Sequence, residues 1–131
     1  MKTAIKLFAC LATAAVFCAA ASAQSAKSHI RSGNSAYSKK DYEKAFGEYA
    51  KALEKSPRDG RIFHNAGNAL YKLGEFEKAG MSFETAAQDK RTAQKSYYNL
   101  GNSFYEQNKF KEAIAAYARA VIMNPSDKDA K

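Results

Sequence analysis

The sequence predicts an all-α fold, a right-handed α-solenoid of three helix-turn-helix hairpins. The first observation behind this prediction is a period of 34 residues, which is clearest in Gly33, Gly67 and Gly101. The second is that each period holds two helix-length stretches joined by a short polar turn. One such hairpin cannot bury its apolar face alone, so successive hairpins are expected to stack on one another.

The three hairpins are predicted at residues 26–59, 60–93 and 94–127, with no insertion between them. Their polar turns are Lys39-Lys40-Asp41, Gly74-Glu75 and Asn108-Lys109. Aromatic and alanine residues recur in columns, among them Tyr42, Phe76 and Phe110; Tyr49, Phe83 and Tyr117; and Ala52, Ala86 and Ala120. Small residues let two helices approach closely, and aromatic residues supply the apolar bulk between units.

These columns resemble the tetratricopeptide repeat family, which has the same period and the same order of glycine, aromatic and alanine positions. The resemblance covers residues 26–127, with Pro57 and Pro125 closing the outer units. It implies a non-catalytic interaction domain. In this family an extended peptide commonly binds the concave inner face, and the resemblance implies the same here.

Residues 1–23 differ from the repeats and are similar to a secretory signal peptide. Lys2 and Lys6 accompany an apolar run at 7–20, and Ala21-Ser22-Ala23 offers the small residues that signal peptidase needs. We therefore expect cleavage after Ala23 and export to the periplasm. Two alternatives stay open, an uncleaved membrane anchor and a lipoprotein modified at Cys18. The run is short for a membrane-spanning helix, which needs about 20 apolar residues.

Composition narrows the function classes. Cys10 and Cys18 both lie in the segment expected to be removed, so the mature chain has neither disulfide nor thiolate chemistry. The formal net charge is +8, and +6 without Lys2 and Lys6. The lysines alternate with acidic residues, which is typical of solvated helix faces, so we expect no nucleic-acid binding. The basic balance predicts only a mild preference for anionic partners.

The sequence lacks the residue patterns of an enzyme. His29 and His64 lie on the first helices of different repeats, without a second ligand type at metal spacing, a nucleophile paired with a base, or a glycine-rich phosphate loop. We therefore predict no catalytic activity, metal or cofactor.

A candidate peptide-binding groove follows from helical spacing, because residues at i, i+3, i+7 and i+10 share one helix face. On the first helices these positions and their neighbours give Lys27, Asn34, Tyr37, Arg61, His64, Asn65, Asn68, Tyr71, Lys95, Tyr98, Asn99, Asn102 and Tyr105. Asparagine can pair with a peptide group, tyrosine offers flat apolar area, and the cations favour acidic side chains or a free C-terminus. The alternative is that the asparagines and tyrosines, and His64, serve packing between hairpins.

One branch of the family grips a C-terminal carboxylate with a clamp of lysine, asparagine and arginine side chains. The matching positions here hold Ile30, Asn34, Asn65, Lys95 and Asn99. The first lysine and the final arginine of the clamp are therefore missing, and we do not assign the chain to that branch. A weaker form of the mechanism, with help from Arg31, stays open.

The chain also resembles the small periplasmic tetratricopeptide repeat proteins of bacterial aerotolerance (Bat) operons. Its size, export signal and three units carry this resemblance, together with the stretches 97–101 and 124–127. The resemblance implies a scaffold that works beside membrane-anchored von Willebrand A-type proteins. The alternative is a membrane-anchored envelope assembly factor that retains its N-terminal apolar segment.

The C-terminal end is expected to lack a cap. Residues 128–131 look like the start of an incomplete helix or a tail, whereas repeat arrays need a polar element at each end. We therefore expect Ala113, Ala120 and Val121 to be partly exposed. Self-association through this end, or a longer native protein, would follow.

Overall fold

The computed structural model describes residues 24–123. The predicted signal peptide at 1–23, Pro125 and the tail at 128–131 therefore lie outside the described residues. Between residues 24 and 123 the chain forms six helices and no strand. The helices are α1 (24–38), α2 (Tyr42–Lys55), α3 (Gly60–Lys72), α4 (Phe76–Ala86), α5 (Ala93–Glu106) and α6 (Phe110–Ile122).

The helices form three hairpins, α1–α2, α3–α4 and α5–α6, in the predicted order. Within the second and third hairpins the two helices pack on each other, and α2 packs on α3 and α4 on α5 to join the successive hairpins. This arrangement confirms the predicted all-α solenoid. None of the helices between residues 24 and 123 combines the length and apolar character that crossing a membrane requires.

The turn inside each hairpin reverses the chain through one left-handed residue. Lys40, Gly74 and Asn108 have φ angles of 62°, 78° and 58°, and each lies 34 residues from the next. In the first turn the Asp41 backbone N–H donates to the Ala36 carbonyl at 2.9 Å, and equivalent bonds close the other two turns. These bonds satisfy carbonyl groups that the end of a helix would leave unpaired. All three predicted turns are confirmed.

The glycine column leaves room for an aromatic ring. A Cβ atom on Gly33 would lie 2.5 Å from Tyr49 Cε1, and one on Gly101 would lie 2.5 Å from Tyr117 Cε1. Gly67 faces Phe83 in the same way, at 2.7 Å. The small and large columns of the sequence therefore meet within one hairpin, where the first helix lies against the ring carried by the second.

The core consists of two clusters, and each contains residues of two successive hairpins. The first cluster contains Ala36, Ala45, Tyr49, Ala52, Ile62, Ala66 and Ala69; the second contains Leu70, Ala79, Phe83, Leu100 and Ala116. Phe46 is partly buried against both. Because each cluster is shared between hairpins, burial of apolar area in one hairpin depends on its neighbour.

Two aspartates organise the turns between hairpins. Asp59 accepts a hydrogen bond from the Arg61 backbone N–H at 3.0 Å and so caps the start of α3. Asp89 accepts a hydrogen bond from the Arg91 backbone N–H at 3.0 Å and others from the Arg91 guanidinium. The same guanidinium lies 3.6 Å from Asp59. Hydrogen bonds from Arg61 lower the pKa of Asp59, and those from Arg91 lower the pKa of Asp89. Both carboxylates are therefore charged over the physiological range.

The predicted exposure of α6 is wrong for two of its three residues. Ala113 and Ala120 are buried, whereas Val121 is 60% exposed. The reason is geometric. Ala113, Ala116 and Ala120 form one helix stripe that contacts α5 inside the hairpin, so their burial does not require a further repeat. Val121 and Ile114 lie on another stripe, at the end of the array.

Candidate peptide-binding groove

The predicted groove residues lie on α1, α3 and α5, the first helices of the three hairpins. The cations Lys27, Arg61 and Lys95 are exposed, as predicted for the edge of a groove. Arg61 differs from the two lysines because its guanidinium forms an ion pair with Asp59 at 2.7 Å. Ile30 is partly buried against the first core cluster, so the first position of the carboxylate clamp offers apolar surface instead of a charge.

The asparagine column makes hydrogen bonds inside the protein, beginning in the first hairpin. Tyr49 donates its hydroxyl proton to Asn34 Oδ1 at 2.8 Å. Asn65, on the next hairpin, donates to the same oxygen at 3.5 Å. Asn34 is exposed and Asn65 half-buried. The Asn34 carbonyl thus has a packing role within its hairpin, as the alternative interpretation of this column predicts.

The middle of the column is built differently because Phe83 stands where the other repeats have tyrosine. Without a hydroxyl donor on α4, Asn68 Oδ1 accepts its hydrogen bond from Asn99 Nδ2 of the next hairpin, at 2.9 Å. This is shorter than the 3.5 Å bond between Asn65 and Asn34. The Asn68–Asn99 pair therefore joins the second and third hairpins across the groove surface.

The third repeat returns to the pattern of the first. Tyr117 donates its hydroxyl proton to Asn102 Oδ1 at 2.8 Å. In all three repeats the side-chain oxygen of the column asparagine is thus occupied. The Nδ2 groups of Asn34, Asn68 and Asn102 donate to no other residue in the described 24–123 range, and the three side chains are exposed or half-buried. These amide groups are available as donors to a ligand.

The tyrosine column also has a packing role. Tyr37, Tyr71 and Tyr105 each contact the aromatic residue that opens the second helix, edge to face, with ring centroids 5.1 to 5.5 Å apart. Burial raises the pKa of the Tyr37 and Tyr71 hydroxyls. Tyr71 donates to Glu106 Oε1 at 3.2 Å, whereas Tyr105 in the last hairpin is exposed. The column therefore fixes the hairpin turns and leaves part of each ring at the surface.

His64 does not line the groove surface, contrary to the prediction that placed it there. Its side chain is buried, Nδ1 lies 2.9 Å from Ser96 Oγ, and its ring is 5.5 Å from the Phe83 ring. The third hairpin covers it. Burial, with a smaller effect from Lys95, lowers the pKa of His64 to about 4. Tyr98 occupies the equivalent position of the third hairpin and is exposed, because no further hairpin follows within residues 24–123 to cover it.

Three adjoining cavities follow the groove. The first, of about 250 Å³, is lined by Asn34, Tyr37, Ser38, Tyr49, Asn65 and Asn68. The second, of about 180 Å³, shares Tyr37 and Asn68 with the first and extends to Lys72, Asn99 and Asn102. The third, of about 550 Å³, shares Asn99 with the second and reaches Tyr98, Tyr117 and Val121. Asn68 and Asn99 therefore connect the three parts. No group of three or more potential metal ligands occurs among residues 24–123.

Helical spacing found the faces that carry these asparagines but not their partners. The signal for Tyr49 and Tyr117 was present, since both lie in one column 15 residues after the asparagine of the same repeat. The substitution of Phe83 in that column pointed to the different hydrogen bond of Asn68. The burial of His64 depends on the neighbouring hairpin, which spacing within one helix does not describe.

Two solved domains resemble the whole array and are more than 20% identical to it. The N-terminal domain of stress-induced protein-1 (STI-1) from C. elegans is 26% identical, with a TM-score of 0.74 over 81% of this chain and 91% of that one. The Arabidopsis OM64 TPR domain is 23% identical, with a TM-score of 0.76 over 80% and 87%.

A third similar structure is that of the first TPR of Spaghetti (RPAP3) bound to the HSP90 peptide SRMEEVD. It is 24% identical, with a TM-score of 0.74 over 79% of this chain and 82% of that one. A search of curated proteins found no match.

Family models match both halves of the array. The tetratricopeptide repeat model matches residues 95–127, and the TPR repeat model matches residues 33–74. The matched residues, the three stacked hairpins and the similar solved domains all agree. The chain therefore belongs to the tetratricopeptide repeat family.

Proposed function

We propose that the chain is a non-catalytic scaffold that binds an extended segment of another protein along α1, α3 and α5. The observation that carries this proposal is the row of side-chain amides at Asn34, Asn68 and Asn102. Each amide is held by a hydrogen bond to its oxygen, and its NH₂ group is available at the surface. An extended peptide presents carbonyl groups along its length, and these lose water on binding unless a donor replaces it.

Related domains support a peptide as the ligand. The Spaghetti domain is bound to the HSP90 peptide SRMEEVD, and the TPR2B domain of yeast Sti1 is in a complex with pHsp70. The present chain would use the same concave face with different contacts, because Ile30 and Asn99 stand where the clamp has a lysine and an arginine. Lys27, Lys95 and the nearby Arg31 favour a segment with acidic side chains or a free C-terminus.

The cellular setting is part of the proposal. The N-terminal segment supports export and cleavage after Ala23, and the resemblance to aerotolerance-operon proteins supports membrane-anchored von Willebrand A-type partners in the periplasm. Mass spectrometry of the protein from envelope fractions tests this. We expect a mature chain that begins at Gln24; an intact Met1 in the membrane pellet would favour the anchored assembly factor instead.

Two variants test the groove by separating the packing role of its asparagines from their role in ligand binding. The mature chain first isolates its partner from an envelope fraction, and the affinity for that partner is then measured by calorimetry. Tyr117→Phe removes the internal hydrogen bond to Asn102 but keeps the asparagine, and it copies the natural Phe83. Asn102→Ala removes the amide itself.

We expect Asn102→Ala to weaken binding by about 5- to 150-fold, because a desolvated peptide carbonyl is left unpaired at a cost of roughly 1–3 kcal/mol. Tyr117→Phe should change the affinity much less. If both variants melt earlier and bind normally when folded, the asparagines serve packing alone and the groove is not the site.

A further inference from the structure

The two ends of the array have opposite surface chemistry. At the N-terminal end Ser28, Ser32 and Ser35 of α1 are exposed. The equivalent residues of α3 are Ile62, Ala66 and Ala69, which are buried under the first hairpin. The array thus begins with a polar helix face, as terminal repeats need for solubility.

The outer surface of the third hairpin, at the other end of the described array, is apolar instead. Tyr98, Ile114 and Val121, which we call the end face, are 56%, 69% and 60% exposed. Each equivalent residue one period earlier, His64, Gly80 and Ala87, is buried. The last hairpin therefore exposes a surface that, on the second hairpin, is covered by the third hairpin.

The interface between the second and third hairpins shows what fits such a surface. It is covered by α5, whose Ser96 bonds to His64 at 2.9 Å and whose Leu100 Cδ1 would lie 3.5 Å from a Cβ on Gly80. Ser96 and Ser103 are fully buried there, and Leu100 is 6% exposed. The helix that covers this interface has serines at positions i and i+7 and a leucine at i+4.

The charge around the end face indicates which residues should flank the apolar face of a helix that binds there. The 550 Å³ cavity beside Tyr98 and Val121 adjoins a second cavity of about 460 Å³, lined by Lys90, Arg91, Lys95 and Met123. Arg91 is paired with Asp89 at 2.6 Å, but Lys90 and Lys95 form no ion pair with any residue of 24–123. These cations favour carboxylates on the incoming element.

We infer that the end face binds an acidic amphipathic α-helix of another protein, which continues the solenoid as a further first helix. Its small residues would contact Ile114 and Val121, and its carboxylates would lie near Lys90 and Lys95. This site adjoins the last groove cavity, which Lys95, Tyr98 and Val121 also line, but Ile114 lies outside all three groove cavities. A second copy of the chain fits less well, because each copy has a net charge of +8, or +6 without Lys2 and Lys6, and offers a basic, serine-lined face at its other end.

The experiment uses the purified chain and a designed probe, since the natural partner is not identified. The probe is a fluorescently labelled helical peptide of about 20 residues, with serine, leucine and serine at the spacing of Ser96, Leu100 and Ser103 and glutamates on its flanks. Two control peptides carry lysines on the flanks or the same residues in scrambled order. Binding is measured by fluorescence anisotropy at low salt.

The protein variants are matched by exposure. Ile114→Glu combined with Val121→Glu places charge in the end face, and Met81→Glu changes an equally exposed residue of α4. We expect the double variant to lose at least tenfold in affinity and Met81→Glu to keep the parental value. Lys90→Glu should also weaken binding of the acidic probe, and the lysine-flanked and scrambled peptides should bind at least tenfold more weakly.

Two results would overturn the inference. One is acidic-probe binding that the double variant leaves unchanged, or no binding of this probe at all. The other is a concentration-dependent dimer, seen by analytical ultracentrifugation, that Ile114→Glu with Val121→Glu abolishes. That dimer would assign the end face to a second copy. Loss of groove binding in Asn102→Ala bears on the other site and leaves this result independent.

Discussion

Phe83 is the member of its column that lacks a hydroxyl group, and this single difference changes the hydrogen bonding of the middle repeat. Tyr49 and Tyr117 donate to the asparagine of their own hairpin, whereas Asn68 receives its bond from Asn99 of the next hairpin. One residue thus exchanges a bond within a hairpin for a bond between hairpins. The same ring packs on His64, which the third hairpin buries.

His64 gives the fold a pH dependence whose direction follows from its burial. The unfolded chain binds a proton at this residue below about pH 6.5, whereas the folded chain does so only below about pH 4. The folded state therefore loses stability as the pH falls from 6.5 to 4, by an amount on the order of 3 kcal/mol, and this group causes no further loss below pH 4. Urea unfolding at several pH values measures the effect.

Two histidine-to-glutamine variants test this prediction, His64→Gln as the test and His29→Gln as the control. His64→Gln should flatten the decline between pH 6.5 and 4, even if it lowers stability throughout. His29→Gln removes the other histidine, which is paired with Glu48 at 2.8 Å, and should retain the decline. An unchanged pH profile in His64→Gln would show that the acid sensitivity arises elsewhere.

At the scale of elements, each hairpin depends on two local features, a turn residue in the left-handed conformation and a glycine that makes room for an aromatic ring. The sequence predicted where the turns and the small residues lie, because both recur with the period of the helices. It did not predict the left-handed conformation of the turn residue or that each glycine faces a ring of its own hairpin. It did not predict the exposure of α6 correctly, since Ala113 and Ala120 are covered by α5 within their own hairpin. Identifying the end face required the contacts of the folded chain.

The glycine column can be tested with two chemically identical substitutions. Gly67→Ala would place a Cβ atom 2.7 Å from the Phe83 ring, so the ring must move, at a cost of about 1–3 kcal/mol. Gly47→Ala on α2 meets no atom within 4 Å and should stabilise the helix by up to about 1 kcal/mol. Chemical denaturation of both variants checks the sign. Equal effects at the two sites would contradict a close contact at Gly67.

The turns allow a stabilising prediction. Lys40 adopts a φ of 62°, a conformation that costs a residue with a side chain roughly 1–2 kcal/mol. Lys40→Gly should therefore raise the midpoint of thermal unfolding, as glycine already occupies the equivalent turn at Gly74. Gly74→Ala is the converse variant and should lower the midpoint. A lower midpoint in Lys40→Gly would mean that the lysine side chain makes a contact that outweighs the strain.

At the scale of the whole molecule, the period sufficed to predict the hairpins and their order. It could not predict which repeat covers which residue, because repeats with similar sequences have different neighbours. His64 and Tyr98 occupy the same position in successive hairpins, yet the first is buried and the second exposed. Both proposed binding sites, the groove and the end face, rest on these differences between units.

Photo-crosslinking in the native cells tests the central claim, that a partner segment lies along the groove, most directly. A photoreactive residue replaces Ser38 or Lys72, exposed residues that line the first and second groove cavities, and separately Met81 on α4. We expect the same partner to be captured at Ser38 and Lys72 and no partner at Met81. Capture at Met81 alone, with none at the two groove positions, would contradict the account.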